Sequence, residues 1–454
     1  MPRIRCFAEK ERVGMTRPRW AIAAAGLGVL VLLAAGCAKR DGGGADSTAC
    51  KTDRFGCVVY QKGAPIRVAT LLAITGVNKN LGLDSQHGVQ LYVDYLDGTF
   101  DGKGGQILGH DMQLVNEDDG CNKQVGQASA TKIAADPTIV AVIGTSCSSS
   151  AQGVADTILS RKGILLVSPS NTSPGLTANS SHQPFYLRTA HNDRTQGAVV
   201  ADFAYKQLKA RTAATIHDES PYAEGLAAVF RDVFSKLGGR IVDQGDQSIR
   251  STDENLEPVL NAIAPGRPDL VYYPDFMPAC AQIAKQARTI PALADTKLLG
   301  SDGCQDPQYL KVGGTDVLGT WLSSADVTAQ TRTNAFYFKQ FLPAYQKLFG
   351  TRVLSVYNAQ AYDATKILVD AIKAVAKDDN GTLTIPRTAL RDAIFQTKSY
   401  KGLSGPITCT RSGDCATSVS IGVYKVPGIP IEGGDKNAKP VFTETKSLQQ
   451  ATGA

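Results

Sequence analysis

Five histidines are scattered over the 454 residues, no HExxH is present, and no CxxC occurs. The residue spacings behind many zinc sites are therefore missing. No GxxxxGKS/T phosphate loop and no GxGxxG between a strand and a helix can be found, which removes two common nucleotide-cradling signatures. Gly102-Lys103-Gly104-Gly105 lies in a turn before a strand and does not fill that role. Gly144-Thr145-Ser146-Cys147-Ser148 approaches a nucleophile elbow but has Ser148 where GxSxG requires its second glycine. His217-Asp218 follows a strand, yet no serine or cysteine motif supplies it with a partner. These absences leave no catalytic constellation, and nothing in the sequence asks for a metal or a cofactor.

Positive charge is also scarce outside the N-terminus. The formal charge is +6, but residues 1–36 hold six Lys/Arg against Glu9 and Glu11, which leaves about +2 for the rest. Nucleic-acid binding has no support from charge. Long apolar runs are limited to Trp20–Ala35, whose 16 residues fall short of the roughly 20 of a membrane-spanning helix. Arg17 and Arg19 precede that run, and Leu33-Ala34-Ala35-Gly36-Cys37 ends it. From a probable start at Met15 this reads as a secretory signal over 1–36 with a bacterial lipobox, leaving Cys37 as the lipidated first residue. Leu33 sits one position further from Cys37 than the preferred spacing, so ordinary cleavage nearby and a retained anchor stand as alternatives. Residues 37–64, with Gly42-Gly43-Gly44, read as a flexible tether.

Cysteine usage points to export by a separate route. Apart from Cys6 and Cys37, eight cysteines fall into four sequential pairs: Cys50/Cys57, Cys121/Cys147, Cys280/Cys304 and Cys409/Cys415. An even set in an exported chain predicts disulfides.

The chain length suits two lobes with separate cores. From Pro65, β-branched runs such as Ile66–Ile74, Met112–Glu117, Ile139–Ile143, Ile164–Val167, Ala213–His217, Arg240–Gln244, Leu270–Tyr273 and Lys297–Leu299 alternate with amphipathic stretches. Leu83–Leu96, Lys123–Ala135, Ala151–Arg161, Gln196–Leu208, Ala223–Leu237, Leu256–Ile263 and Ala279–Thr289 are the helices expected between them. That rhythm predicts an α/β fold of mostly parallel sheets covered on both faces. Consecutive helices follow at Asn334–Phe349, Ser355–Ala376 and Arg387–Gln396. A hairpin of Gly405–Cys409 with Ser418–Lys425 is expected to close the fold, and residues 431–454 read as a polar tail.

In open parallel sheets ligands sit beyond the carboxyl ends of strands. Three such loops carry suggestive residues. Ile143–Ser150 runs from strand to helix, where backbone N–H groups and hydroxyls would hold a carboxylate; Ser148 and Ser149 also suit a plain helix cap. Val167–Pro174 offers Ser170 and Thr172, or is an ordinary Pro-rich turn. Leu299–Cys304 places Asp302 at a strand end in the other half, where a turn or capping role is the alternative.

Over residues 65–426 the chain resembles the leucine/isoleucine/valine-binding family of type I periplasmic substrate-binding proteins. The resemblance rests on Asp118-Asp119-Gly120-Cys121, Ile143–Ser150, Gly163–Pro169, Leu187-Arg188-Thr189-Ala190, His217–Gly225 and Gly300-Ser301-Asp302-Gly303, in that order. It implies two Rossmann-like lobes, 65–192 with 326–405 and 193–325 with 406–430, joined by a three-strand hinge. By the same resemblance Ser148 would hold a ligand α-carboxylate and Ser170 would offer backbone groups. Thr172 would touch both polar ends, and Asp302 would pair with the α-ammonium. Tyr222 would lie across the ligand. Leu81 replaces an aromatic and Phe276 a tyrosine, which keeps the wall apolar and changes its shape. Asp193, at the crossover, is either near the ligand or a support of the hinge.

The implied function is that of an extracytoplasmic solute-binding lipoprotein. It would be a monomer that serves an ABC permease and ATPase and performs no chemistry on its amino-acid ligand. The same fold binding urea, short amides or aromatic acids, or acting as a sensor, is the alternative. The leader reading predicts that mass spectrometry of the native protein finds an acylated N-terminus at Cys37. An unmodified terminus downstream of Cys37 contradicts it.

Overall fold

Ile139–Gly144 is buried at every position, as a strand must be when helices cover both faces of its sheet. It lies inside a six-stranded sheet built from residues 66–188 in the order Gln106–Ile107, His110–Asp118, Ile66–Leu72, Ile139–Gly144, Leu165–Ser168, Tyr186–Arg188. All of these pairings are parallel except that of Gln106–Ile107. A second sheet of seven strands runs Arg240–Ile241, Thr212–Thr215, Leu270–Tyr273, Lys297–Gly300, Trp321–Ala325, Ser418–Lys425, Phe442–Ser447. Its first five strands are parallel and its last two antiparallel. The computed structural model describes residues 48–243, 247–326, 335–430 and 438–452. The leader, Cys37 and the Gly42–Gly44 stretch lie outside the described residues, as do Gln244 and Asn334 at the ends of two expected elements. Among the described residues no helix is long and apolar enough to cross a membrane.

Most expected elements form within a few residues of their predicted limits, because 3.6-residue periodicity and apolar runs fix element type better than element ends. Three expectations are corrected. Ser418–Lys425 makes no hairpin with Gly405–Cys409. Its two edges are taken by Trp321–Ala325 and Phe442–Ser447, while Pro406–Ile407 pairs with Tyr400–Lys401. The supposed polar tail thus supplies the edge strand Phe442–Ser447, followed by the helix Leu448–Thr452. The tether is shorter than expected. Thr48–Thr52 is helical, and Cys57–Tyr60 pairs antiparallel with Thr382–Pro386, burying Val58 and Tyr60.

All four expected disulfides are present: Cys50–Cys57, Cys121–Cys147, Cys280–Cys304 and Cys409–Cys415.

The chain passes between the sheets three times, after Arg188, after Ala325 and after Cys415. Two of these passages run side by side, since Arg188 N–H donates to Gly413 O and Cys415 N–H to Arg188 O, at 2.9 and 3.1 Å. The third joins them where Asp326 N–H donates to Ser420 O at 2.7 Å. Arg188 is wholly buried there. Its Nε donates to Asp414 Oδ1 at 2.8 Å, and Nη1 donates to Ser173 O at 2.8 Å and Asn171 O at 3.1 Å. Removing one partner of a buried ion pair strands the other charge at a cost of about 3–5 kcal/mol. Asp414→Ala is therefore expected to lower the unfolding free energy by that amount in urea denaturation.

Candidate ligand site

The carboxyl ends of both sheets point their loops at one another, and a narrow cavity of about 10 Å³ lies between them. Its lining is Leu81, Ser146, Cys147, Ser148, Ser170, Tyr222, Phe276, Asp302, Gly303 and Tyr357. That volume is room for about one water molecule, far below the roughly 300–1,000 Å³ of ligand sites, so the two walls stand nearly in contact. Six residues singled out from sequence meet here: Leu81, Ser148, Ser170, Tyr222, Phe276 and Asp302. Thr172 and Asp193 do not line the cavity. Both are buried, and the Thr172 hydroxyl and both Asp193 carboxyl oxygens make no hydrogen bond. Burial, reinforced by the nearby Asp302 carboxylate, pushes the Asp193 pKa well above the usual carboxylate range.

The first-lobe wall is shaped by how the strand Ile139–Gly144 ends. A Cβ on Gly144, at φ +149°, would lie 2.1 Å from Leu71 O, so glycine is required where the chain turns toward the cavity. Beyond it, Asp119 Oδ1 accepts the Cys121 N–H at 2.7 Å and Oδ2 accepts the Ser146 N–H. The Cys121–Cys147 disulfide fixes the same two loops covalently. Burial pushes the Asp119 carboxyl up to about 7. Ser170 spends its hydroxyl on Ser146 O at 2.9 Å, leaving its backbone as its contribution to the cavity. Ser148 begins a short helical turn, and its Oγ accepts the Ser173 N–H at 3.3 Å. Its own proton remains available to an acceptor in the cavity.

The second-lobe wall centres on Asp302, which follows the strand Lys297–Gly300 and is 5% exposed. Oδ1 accepts from Gln196 Nε2 at 2.7 Å and from the Tyr222 hydroxyl at 3.0 Å; Oδ2 accepts from the Tyr357 hydroxyl at 2.7 Å. Tyr222 stands in the first turn of the helix Pro221–Lys236, which Ser220 caps. Its hydroxyl also accepts the Gly303 N–H and meets Ser301 Oγ at 2.6 Å. The resemblance placed Tyr222 across a ligand; in the structure its hydroxyl braces the acid. Its ring lies 5.0 Å from that of Phe276, forming the apolar wall with Leu81. Burial first, and then the Asp302 charge, push the pKa of the Tyr222 and Tyr357 phenols well above the ordinary value, so both keep their protons and act as donors. Three of roughly four acceptor positions on Asp302 are filled, and one remains.

A hydroxyl donor on one lobe thus faces a buried carboxylate on the other across a small, largely apolar gap. Residues 65–426 match the family model for the periplasmic binding protein. The chain belongs to that family. The Leu/Ile/Val-binding protein of Escherichia coli is 29% identical over 365 residues, 77% of this chain and 88% of that protein. Leu/Ile/Val-binding protein homolog 3 of Brucella melitensis is 26% identical over 364 residues, 80% of this chain and 91% of the other. Among solved structures, the isoleucine complex of the branched-chain amino acid substrate-binding protein LivJ from Streptococcus pneumoniae aligns with a TM-score of 0.69. It is 21% identical and covers 84% of this chain and 99% of that one. A benzoate-bound solute-binding protein from Rhodopseudomonas palustris aligns at 0.66, with 19% identity over 84% and 96% of the two chains.

Sequence reasoning missed Tyr357, Gln196 and Asp84. Nothing local marks Tyr357 or Gln196 as partners of Asp302, since their sequence separations from it are 55 and 106 residues. Asp84 sits fully buried in the helix Lys79–Asp94, and a lone acid on an apolar helix face could have flagged it. Its Oδ1 accepts the Leu354 N–H and the Tyr345 hydroxyl, at 3.1 and 2.9 Å. Its Oδ2 accepts the Tyr357 and Asn358 N–H groups, at 3.1 and 2.9 Å. Asp84 thereby caps the helix Asn358–Val375 from a neighbouring helix and fixes Tyr357. Asp84→Ala would leave those buried donors without an acceptor, at about 1–3 kcal/mol each. A loss of at least about 3 kcal/mol in urea denaturation is expected, against a near-zero change for Asp295→Ala on an exposed turn.

Proposed function

We propose that this periplasmic binding protein captures a small apolar α-amino acid between its lobes and presents it to an ABC permease driven by an ATPase. The observation that carries this reading is Asp302 opposite Ser148 across one cavity. A carboxylate with a vacant acceptor position suits an α-ammonium, and a hydroxyl beside first-turn N–H groups suits an α-carboxylate. Leu81, Phe276 and the two tyrosine rings make the apolar wall that a ligand side chain would meet. The Leu/Ile/Val-binding relatives support this choice of ligand class. A ligand that is only a carboxylate, such as an aromatic acid, would leave the buried Asp302 unanswered and bring a second negative charge toward it. With Cys37 acylated, the protein would stand on the outer side of a membrane, close to its permease.

A thermal-shift screen of the twenty amino acids identifies the ligand, and calorimetry then tests the roles. Truncating one partner of a buried charge pair costs about 2–5 kcal/mol, so Asp302→Ala is expected to weaken binding roughly 30- to several-thousand-fold. Ser148→Ala is expected to cost about 1–2 kcal/mol, because backbone N–H groups still face the carboxylate. Equal binding of the neutral amide isobutyramide by the parent and Asp302→Ala, with no amino acid bound by either, would overturn the reading.

A further inference from the structure

Two hydrogen bonds cross from the first lobe to a single short segment of the second. The Tyr357 hydroxyl donates to Asp302 Oδ2 at 2.7 Å, and Asn80 Nδ2 donates to Asp306 Oδ2 at 2.9 Å. Both donors stand at N-terminal ends of first-lobe helices, Lys79–Asp94 and Asn358–Val375. Those ends are tied to one another, since Asp84 lies one turn beyond Asn80 and accepts the Tyr357 and Asn358 N–H groups. Both acceptors bracket Cys304, which Cys280–Cys304 anchors to the helix Ala279–Ala287. A braced pair of helix ends therefore meets a braced loop.

The partners of Asp302 divide unequally between the lobes. Gln196 and Tyr222 reach Oδ1 from the second lobe, to which Asp302 itself belongs, so their bonds do not depend on the angle between lobes. Tyr357 reaches Oδ2 from the first lobe, and its bond exists only while the lobes are together. The Tyr357 side chain is fully buried, and its phenol keeps its proton, so the donor is always armed.

We propose that Tyr357 is a positioning residue that couples closure to the acid: its hydroxyl, donated across the cleft, orients Asp302 Oδ2 and favours the closed form before any ligand enters. The consequence for affinity rests on Asp302 being the ammonium acceptor; the consequence for closure does not. When the cleft opens, Asp302 loses one of its three donors, and the acid meets water in its place. When it closes, Tyr357 restores the geometry that leaves one acceptor position facing the cavity. Asn80 and Asp306 supply a second contact of the same kind at the rim.

The test is a distance measurement on the purified protein without ligand. Fluorophores are attached through cysteines introduced at Val77 of the first lobe and Leu318 of the second, both exposed at 58% and 49%. Single-molecule energy transfer then reads the closed-to-open ratio. A hydrogen bond to a charged group supports a change of about tenfold or more. Tyr357→Phe, which keeps the ring and removes the donor, is expected to lower the ratio by that factor. In an Asp302→Ala background, which removes the acceptor, the same substitution is expected to add little, because the two act as one pair. An unchanged ratio in Tyr357→Phe overturns the inference, and so does an equal fall in the Asp302→Ala background. Failure of the parent to bind any amino acid would instead count against the ligand reading and leave this result standing.

Discussion

A carboxylate taken out of water must be answered by donors, and in this protein the answer to Asp302 comes from both lobes. Desolvating an unpaired charge is costly enough that the surrounding structure has to supply hydrogen bonds or a counter-charge. Gln196 and Tyr222 supply two from within the second lobe, and Tyr357 supplies one from the first. No cationic side chain of the protein pairs with it among the described residues. Such a site is electrostatically incomplete by one positive group, which is the physical ground for proposing a ligand with a cationic end.

Holding that acid opposite Ser148 requires loops that do not relax. Each is fixed by more than its own hydrogen bonds. Cys121–Cys147 and the Asp119 carboxylate brace the Ser148 loop, and Cys280–Cys304 braces the Asp302 loop. Asp84 fixes Tyr357 by capping a helix that belongs to another part of the chain. The crossovers are braced as well: Arg188 and Asp414 are buried against each other there, and Arg188 also holds the Asn171 and Ser173 carbonyls of the Ser170 loop.

The β-α rhythm, the strand-end loops and the four cysteine pairs were legible because each is written in nearby residues. A buried parallel strand needs an apolar run, a helix needs its stripe, and a short-range disulfide needs neighbours in the chain. Ser148, Ser170 and Asp302 were found in the same way, as polar residues at strand ends. Phe442–Ser447 was illegible for the opposite reason. Its mostly polar sequence does not announce a strand, and only the exposed edge of Ser418–Lys425 makes it one. Cys57–Tyr60 likewise waited for Thr382–Pro386, more than three hundred residues away.

The alternation of elements, the family and the loops that line the cavity could all be read from residue order, since they depend on local pattern and on motifs in sequence. How the buried polar groups are shared out followed from packing alone. It spent the Ser170 hydroxyl on Ser146, gave Tyr222 to Asp302 and Gly303, and kept Thr172 and Asp193 off the cavity wall. It also brought Tyr357 across the cleft to the acid. Hydrogen bonds act over about 3 Å in space whatever the separation in sequence, so their pairing is fixed by packing and cannot be read from the order of residues.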